Sequence, residues 1–157
     1  MRRDQEGFSL VELLIVVAII LVIAAVAIPN MIRSKLATNE ASAVASLRSI
    51  NTSCIAYTST YGIGFPANLT NLGPATPATS TSADLIDIVL AAGVKSGYSF
   101  SYTAGAAQNG QILSYTVTSQ PLVPDQTGTR YFYTDGSGVI RQNVGAAATP
   151  ASTPLGN

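Results

Sequence analysis

The chain has 157 residues, enough for one modest domain or two very small ones. Its 8 Lys and Arg balance its 8 Asp and Glu, and only 10% of its residues are charged, against roughly 25% in an ordinary soluble domain. No basic stripe exists to hold the phosphates of a nucleic acid. Histidine is absent and there is a single cysteine. That leaves no imidazole or thiolate set for a metal and no base for Ser-His or Cys-His catalysis. No enzyme, metal site or cofactor is expected.

Residues 1–7, MRRDQEG, are short and polar. From Phe8 to Ile28 the chain runs FSLVELLIVVAIILVIAAVAI, 21 residues in which Ser9 and Glu12 are the only polar side chains. As a helix this block is about 31 Å long, which matches a bilayer core of roughly 30 Å. A strand of that length is outside the usual range, and a helix satisfies every backbone polar group in lipid. A secretory signal has an apolar region of only about 7–15 residues ending in small residues, whereas this run continues into Pro29-Asn30. Glu12 is the fifth residue of the block. An ionised group costs about 2.5–3.5 kcal/mol at mid-membrane and less near the interface. No Lys or Arg lies within the apolar helix, so the partner of Glu12 is expected outside this chain.

Beyond Pro29, apolar side chains recur at Leu36, Val44, Leu47, Ile50, Cys54, Tyr57 and Tyr61. Spacings of three and four mark one helix face. Pro29 removes a backbone donor and predicts a kink near 25–29. Gly62 and Gly64 end the helix. A helix over 8–61 would be about 81 Å long, so its second half is expected to lean on a small domain. Cys54, on the apolar face, reads as a small buried hydrophobe.

Residues 62–81 are rich in turn formers and read as a loop tucked in by Phe65, Leu69 and Leu72. Ser82 is predicted to cap a short helix over 82–90, with Asp84 and Asp87 near its positive end and Gly93 as its stop. The period then changes to two. Strands are predicted over 98–102, 112–118, 130–134 and 138–142, the last two joined by the turn Asp135-Gly136-Ser137-Gly138. That turn offers a single carboxylate and no calcium loop. The acceptor patterns at Asn51 and Asn68 read as chance. The tail 145–157 has little to bury and is expected to be flexible.

The string Gly7-Phe8-Ser9-Leu10-Val11-Glu12-Leu13-Leu14 resembles the cleavage and methylation motif of type IV pilins and type II secretion pseudopilins. The resemblance implies an α+β pilin-like fold, with a long N-terminal helix packed on a small antiparallel sheet of three or four strands. It divides the chain into a leader (1–7), a transmembrane and filament-core helix (8–29), the amphipathic second half of that helix (30–61), a head (62–144) and the tail (145–157). It further implies that a prepilin peptidase cuts between Gly7 and Phe8 and that Phe8 is N-methylated. Glu12 would neutralise the N-terminal amine of a neighbouring subunit, and Pro29 matches the proline that interrupts the family's helix. The implied partners are membrane lipid, other copies of the chain in a helical filament, an assembly ATPase and an inner-membrane platform. The implied function is a structural pilus subunit serving adhesion, motility or DNA uptake, held in the bacterial inner membrane before assembly into an external pilus. The alternative is a pseudopilin in a periplasmic filament for protein export. This head lacks both the acidic calcium loop common in major pseudopilins and the C-terminal disulfide of many pilins.

Overall fold

The computed structural model describes residues 8–156, so the leader, Gly7 included, and Asn157 lie outside the described residues. Helix α1 is Leu10–Tyr61, 52 residues. Two compact units divide within it, one ending at Lys35 and the other beginning at Leu36. In the first, every described residue is exposed except half-buried Ala24. The helical assignment runs through Pro29 without a break.

In the second unit, the predicted face of α1 is the one that packs. Ala43, Leu47, Ile50, Cys54 and Tyr57 are buried, Val44 and Tyr61 flank them, and Leu36 is half-buried. The helix stops where Gly62 turns left-handed (φ +67°) and its N–H donates to the Thr58 carbonyl at 3.0 Å, the αL cap that glycine permits at least cost.

The segment after the helix is more ordered than a loop. The Phe65 N–H donates to the Ile112 carbonyl at 2.8 Å. Asn68 caps a 3-10 turn over Leu69–Leu72, which buries both leucines. The helix predicted from Ser82 does not form there. Backbone N–H groups of residues 83–86 donate instead to carbonyls of Asn71, Leu72 and Gly73, and Asp84 sits at φ 53°. The Ser82 hydroxyl donates to the Gly73 and Pro74 carbonyls. What remains is α2, Ile88–Ala91, capped by Asp87 through the Leu90 N–H at 3.0 Å and stopped at Gly93 (φ +78°).

The sheet is antiparallel throughout and ordered β1-β2-β5-β6-β7-β8. Its longer strands are β2 (Tyr98–Ala104), β5 (Tyr115–Pro121), β6 (Arg130–Asp135) and β7 (Arg141–Val144). These are the four expected strands, with two shifted. Ile112, expected to open the second strand, belongs instead to β4 (Gln111–Ile112), which pairs with β3 (Ala107–Gln108) in a separate hairpin. Residues 138–140 belong to the turn and its exit, not to β7. Six strands replace the expected three or four because two-residue edges, β1 (Val94–Lys95) and β8 (Thr153–Pro154), extend the sheet. Strand β8 also corrects the flexible tail. It pairs with β7, the Leu155 N–H donates to the Ile140 carbonyl at 2.7 Å, and Ala148 is buried.

One face of the sheet supplies Tyr98, Phe100, Tyr115, Val117 and Phe132 to a core shared with α1. Alternate residues of β2 and β5 facing away are Ser, Thr and Gln, as expected for a sheet with one solvated side. Two polar contacts register helix against sheet. Asn51, buried, donates to Thr134 Oγ1 (2.9 Å) and accepts from the Tyr115 hydroxyl (3.0 Å). Glu40 Oε1 accepts from the Thr129 N–H (2.9 Å), the Thr129 hydroxyl (3.0 Å) and the Arg130 N–H (3.2 Å).

Candidate functional site

The site predicted from sequence is the start of α1. Phe8 precedes the helix and is 86% exposed. Ser9 is its cap: the Ser9 hydroxyl accepts from the Val11 N–H at 3.3 Å, and Glu12 Oε2 accepts from the Ser9 N–H at 2.9 Å. The Ser9 carbonyl accepts from the Leu13 N–H at 3.2 Å. These bonds make a variant of the capping box in which the hydroxyl takes the N–H of the second helical residue instead of the third, and they satisfy donors that a helix start otherwise leaves open. The carboxylate also sits where the helix dipole favours negative charge. Glu12 therefore accepts a hydrogen bond within its own chain, from a neutral amide and not from the cation expected outside it. The cap was legible as Ser-x-x-Glu ahead of an apolar run.

From Leu10 to Ile32 the large apolar side chains stand exposed. The most apolar 18-residue window has a mean hydropathy of 3.3 and none of it is buried, so this helix is long and apolar enough to cross a membrane. At Pro29 the Ala25 carbonyl loses its usual i+4 donor. The adjacent Asn30 side chain donates to the Val26 carbonyl at 3.0 Å. Gly7, the other half of the predicted cleavage pair, lies outside the described residues.

Among the described residues no three His, Cys, Asp or Glu gather where they could hold a metal. Cys54 is fully buried, and burial pushes its thiol up to about 12 against the opposing hydrogen bonds of Tyr102 and Tyr115. A group so protonated and enclosed is a poor nucleophile. Sequence reasoning missed Glu40 and Asn51, whose partners lie more than 60 residues away.

Sequence comparison meets the same helix start. The profile described as the prokaryotic N-terminal methylation motif matches residues 2–28. The chain carries this motif. Over 38 residues it is also 50% identical to the "Type IV wide pilus major component PilA4" of Thermus thermophilus. That match covers 24% of this chain and 29% of the relative's own length. The similarity to type IV pilins read from residues 7–14 is therefore present in the wider comparison, and the α+β architecture with its long apolar helix is pilin-like. No solved structure matches.

Proposed function

We propose that this chain is the precursor of a structural subunit of a type IV pilus. A prepilin peptidase cuts between Gly7 and Phe8, the new N-terminus at Phe8 is methylated, and the mature chain waits in the inner membrane until it is added to a filament. The observation that carries this reading is the methylation motif placed at the start of a helix whose large apolar side chains are exposed. Each large aliphatic side chain left in water forgoes about 1.5–3 kcal/mol, so lipid or other copies of the helix must cover them. Packing helix on helix replaces lipid contact at little hydrophobic cost, which lets a subunit leave the bilayer for a filament core.

Glu12 has the assembly role in this reading. Near the bilayer it needs a cation, and the amine of the next subunit supplies one when copies are staggered along the axis. Repetition of that contact is heterologous and builds a helical filament instead of a closed ring. The helical assignment runs on through Pro29, but the Ala25 carbonyl has lost its donor there, so this is the point at which this reading expects the helix to yield in the filament. The assembly ATPase and membrane platform are the machinery the reading requires, and the curated relative's designation as a pilus component favours a pilus over a pseudopilus.

The test is the intact mass of the chain in filaments sheared from expressing cells. A chain beginning at a methylated Phe8 in that fraction is the expected result. The same processed chain confined to the inner membrane would instead indicate a pseudopilin. An uncut chain beginning at Met1, in cells with an active peptidase, would overturn the reading. Glu12→Ala should leave an inserted, processed protein that assembles poorly, and normal filaments from it would remove the registration role.

A further inference from the structure

The hairpin β3–β4 reverses direction through Asn109-Gly110, both at positive φ (+50° and +78°) and both exposed. Asn-Gly is the favoured pair for such a two-residue turn because both central residues must be left-handed. The same pair carries a chemical liability. Glycine has no side chain to hinder its own nitrogen, and a Cβ built at Gly110 meets nothing within 4 Å. Every other described asparagine is held: the side chains of Asn30, Asn39, Asn51, Asn68, Asn71 and Asn143 each make at least one hydrogen bond, and none precedes a glycine. Asn109 is the one described asparagine whose side chain has no hydrogen-bonded partner.

We propose that Asn109 is a site of spontaneous, enzyme-free deamidation. The Gly110 backbone nitrogen attacks Cγ of Asn109, a new C–N bond closes a five-membered succinimide, and the Cγ–Nδ2 bond breaks to release ammonia. The Gly110 N–H proton leaves with the amine. Water then adds to either ring carbonyl and reopens the ring, giving aspartate or isoaspartate with no change of oxidation state. The rotation this needs is available because the hairpin is paired at only two positions, Ala107↔Ile112 and Gln108↔Gln111. A two-strand ribbon of that size opens at little cost. Its base is anchored separately, by the Phe65 N–H to Ile112 and the Gln111 amide to the Gly62 carbonyl, so the change is confined to the tip. The product moves the formal net charge of the chain from 0 to −1. Asp135-Gly136 shares the glycine but not the freedom, since Asp135 accepts from the Ser137 N–H at 2.9 Å.

The test incubates the purified full chain in detergent, at neutral and at alkaline pH, in oxygen-18 water, and maps the label by peptide mass. The expected result is label at position 109, chiefly as isoaspartate, forming faster at the higher pH and within about tenfold of the rate in the urea-unfolded chain. Slower conversion than that, or label at other asparagines while Asn109 stays intact, would overturn the proposal. Asn109→Gly keeps a residue fit for the turn and removes the amide. It should abolish the label in this peptide, and label persisting there would equally overturn it.

Discussion

Glu40→Ala tests whether one carboxylate holds the 127–130 segment onto α1. The Glu40 side chain is only 13% exposed, and Oε1 collects three donors: two backbone N–H groups and the Thr129 hydroxyl. Oε2 lies 3.3 Å from Arg130 Nε, whose side chain is 46% exposed. The ion pair is largely solvated and is worth about 0–1 kcal/mol. A hydrogen bond to a charged group is worth about 1.5–3 kcal/mol, but these three share one oxygen and do not add in full. Removing the acceptor also strands the N–H of half-buried Thr129, so the expected loss is about 2–4 kcal/mol. Glu40→Gln keeps an amide oxygen in place and should lose about 1 kcal/mol. Urea unfolding of the full chain in detergent, followed by near-ultraviolet dichroism of its tyrosines, reads the difference. With a slope of about 2 kcal/mol per molar urea, the middle of the usual range, the alanine midpoint should fall by about 1–2 M. If the glutamine and alanine variants unfold together, the oxygen is not the anchor. If Arg130→Met costs as much as Glu40→Ala, the ion pair is, and the reasoning fails.

Three further outcomes are expected. Cys54 in the folded chain should resist iodoacetamide at neutral pH and react promptly once unfolded, because burial raises the thiol to about 12; equal rates would refute this. The Asp87 carboxyl is held below the ordinary carboxylate range, first by Lys95 at 2.8 Å and then by the Leu90 N–H. Its contribution is therefore present above the unfolded-state pKa and is lost as pH falls through the depressed folded value. Asp87→Asn, which can still cap α2 but cannot titrate, should flatten the acid side of a melting-temperature series, and an unchanged slope would contradict the assignment. Gly128→Ala places a Cβ against the buried Tyr98 ring and hydroxyl, which donates to the Arg130 carbonyl. The expected destabilisation is about 1–3 kcal/mol, and a variant that melts with the parent would show that the ring yields freely.

The parts of the fold legible in the sequence were those set by a repeated period. The face Leu47-Ile50-Cys54-Tyr57 follows from spacings of three and four, and Tyr98-Phe100 from spacing of two, because burial of one face imposes those periods. The failures share a different cause. Ser82-Ala-Asp-Leu-Ile-Asp has a helix cap and helix period, yet its backbone donors found carbonyls at 71–73 first, which local propensity does not register. The edge strands β1 and β8 are two residues each, too short to show any period. The tail looked free because it is rich in Ala, Thr and Pro, but Ala148 is buried, Leu155 packs against the core, and Arg141 holds the segment through the Ser152 carbonyl at 3.0 Å. Asn51 matched a glycan acceptor pattern by letters. Its burial between Tyr115 and Thr134 makes it a core polar group instead.

At the helix start, hydropathy and capping read the same two residues differently. Against an apolar block, Ser9 and Glu12 register as tolerated polar exceptions, and the charge on Glu12 looks like a cost awaiting an outside cation. Against the rules for helix ends, the same pair is the device that starts the helix. The two roles are compatible. A carboxylate offers about four lone-pair sites over two oxygens, so accepting the Ser9 N–H does not exhaust it. Cleavage after Gly7 would leave the Ser9 amide intact, because the new amine falls on Phe8. The cap would then persist in the mature chain, holding Glu12 at a fixed place on the first turn while a neighbouring amine approaches. On this view Ser9→Ala should impair assembly less than Glu12→Ala, because it loosens the start of the helix but leaves the charge.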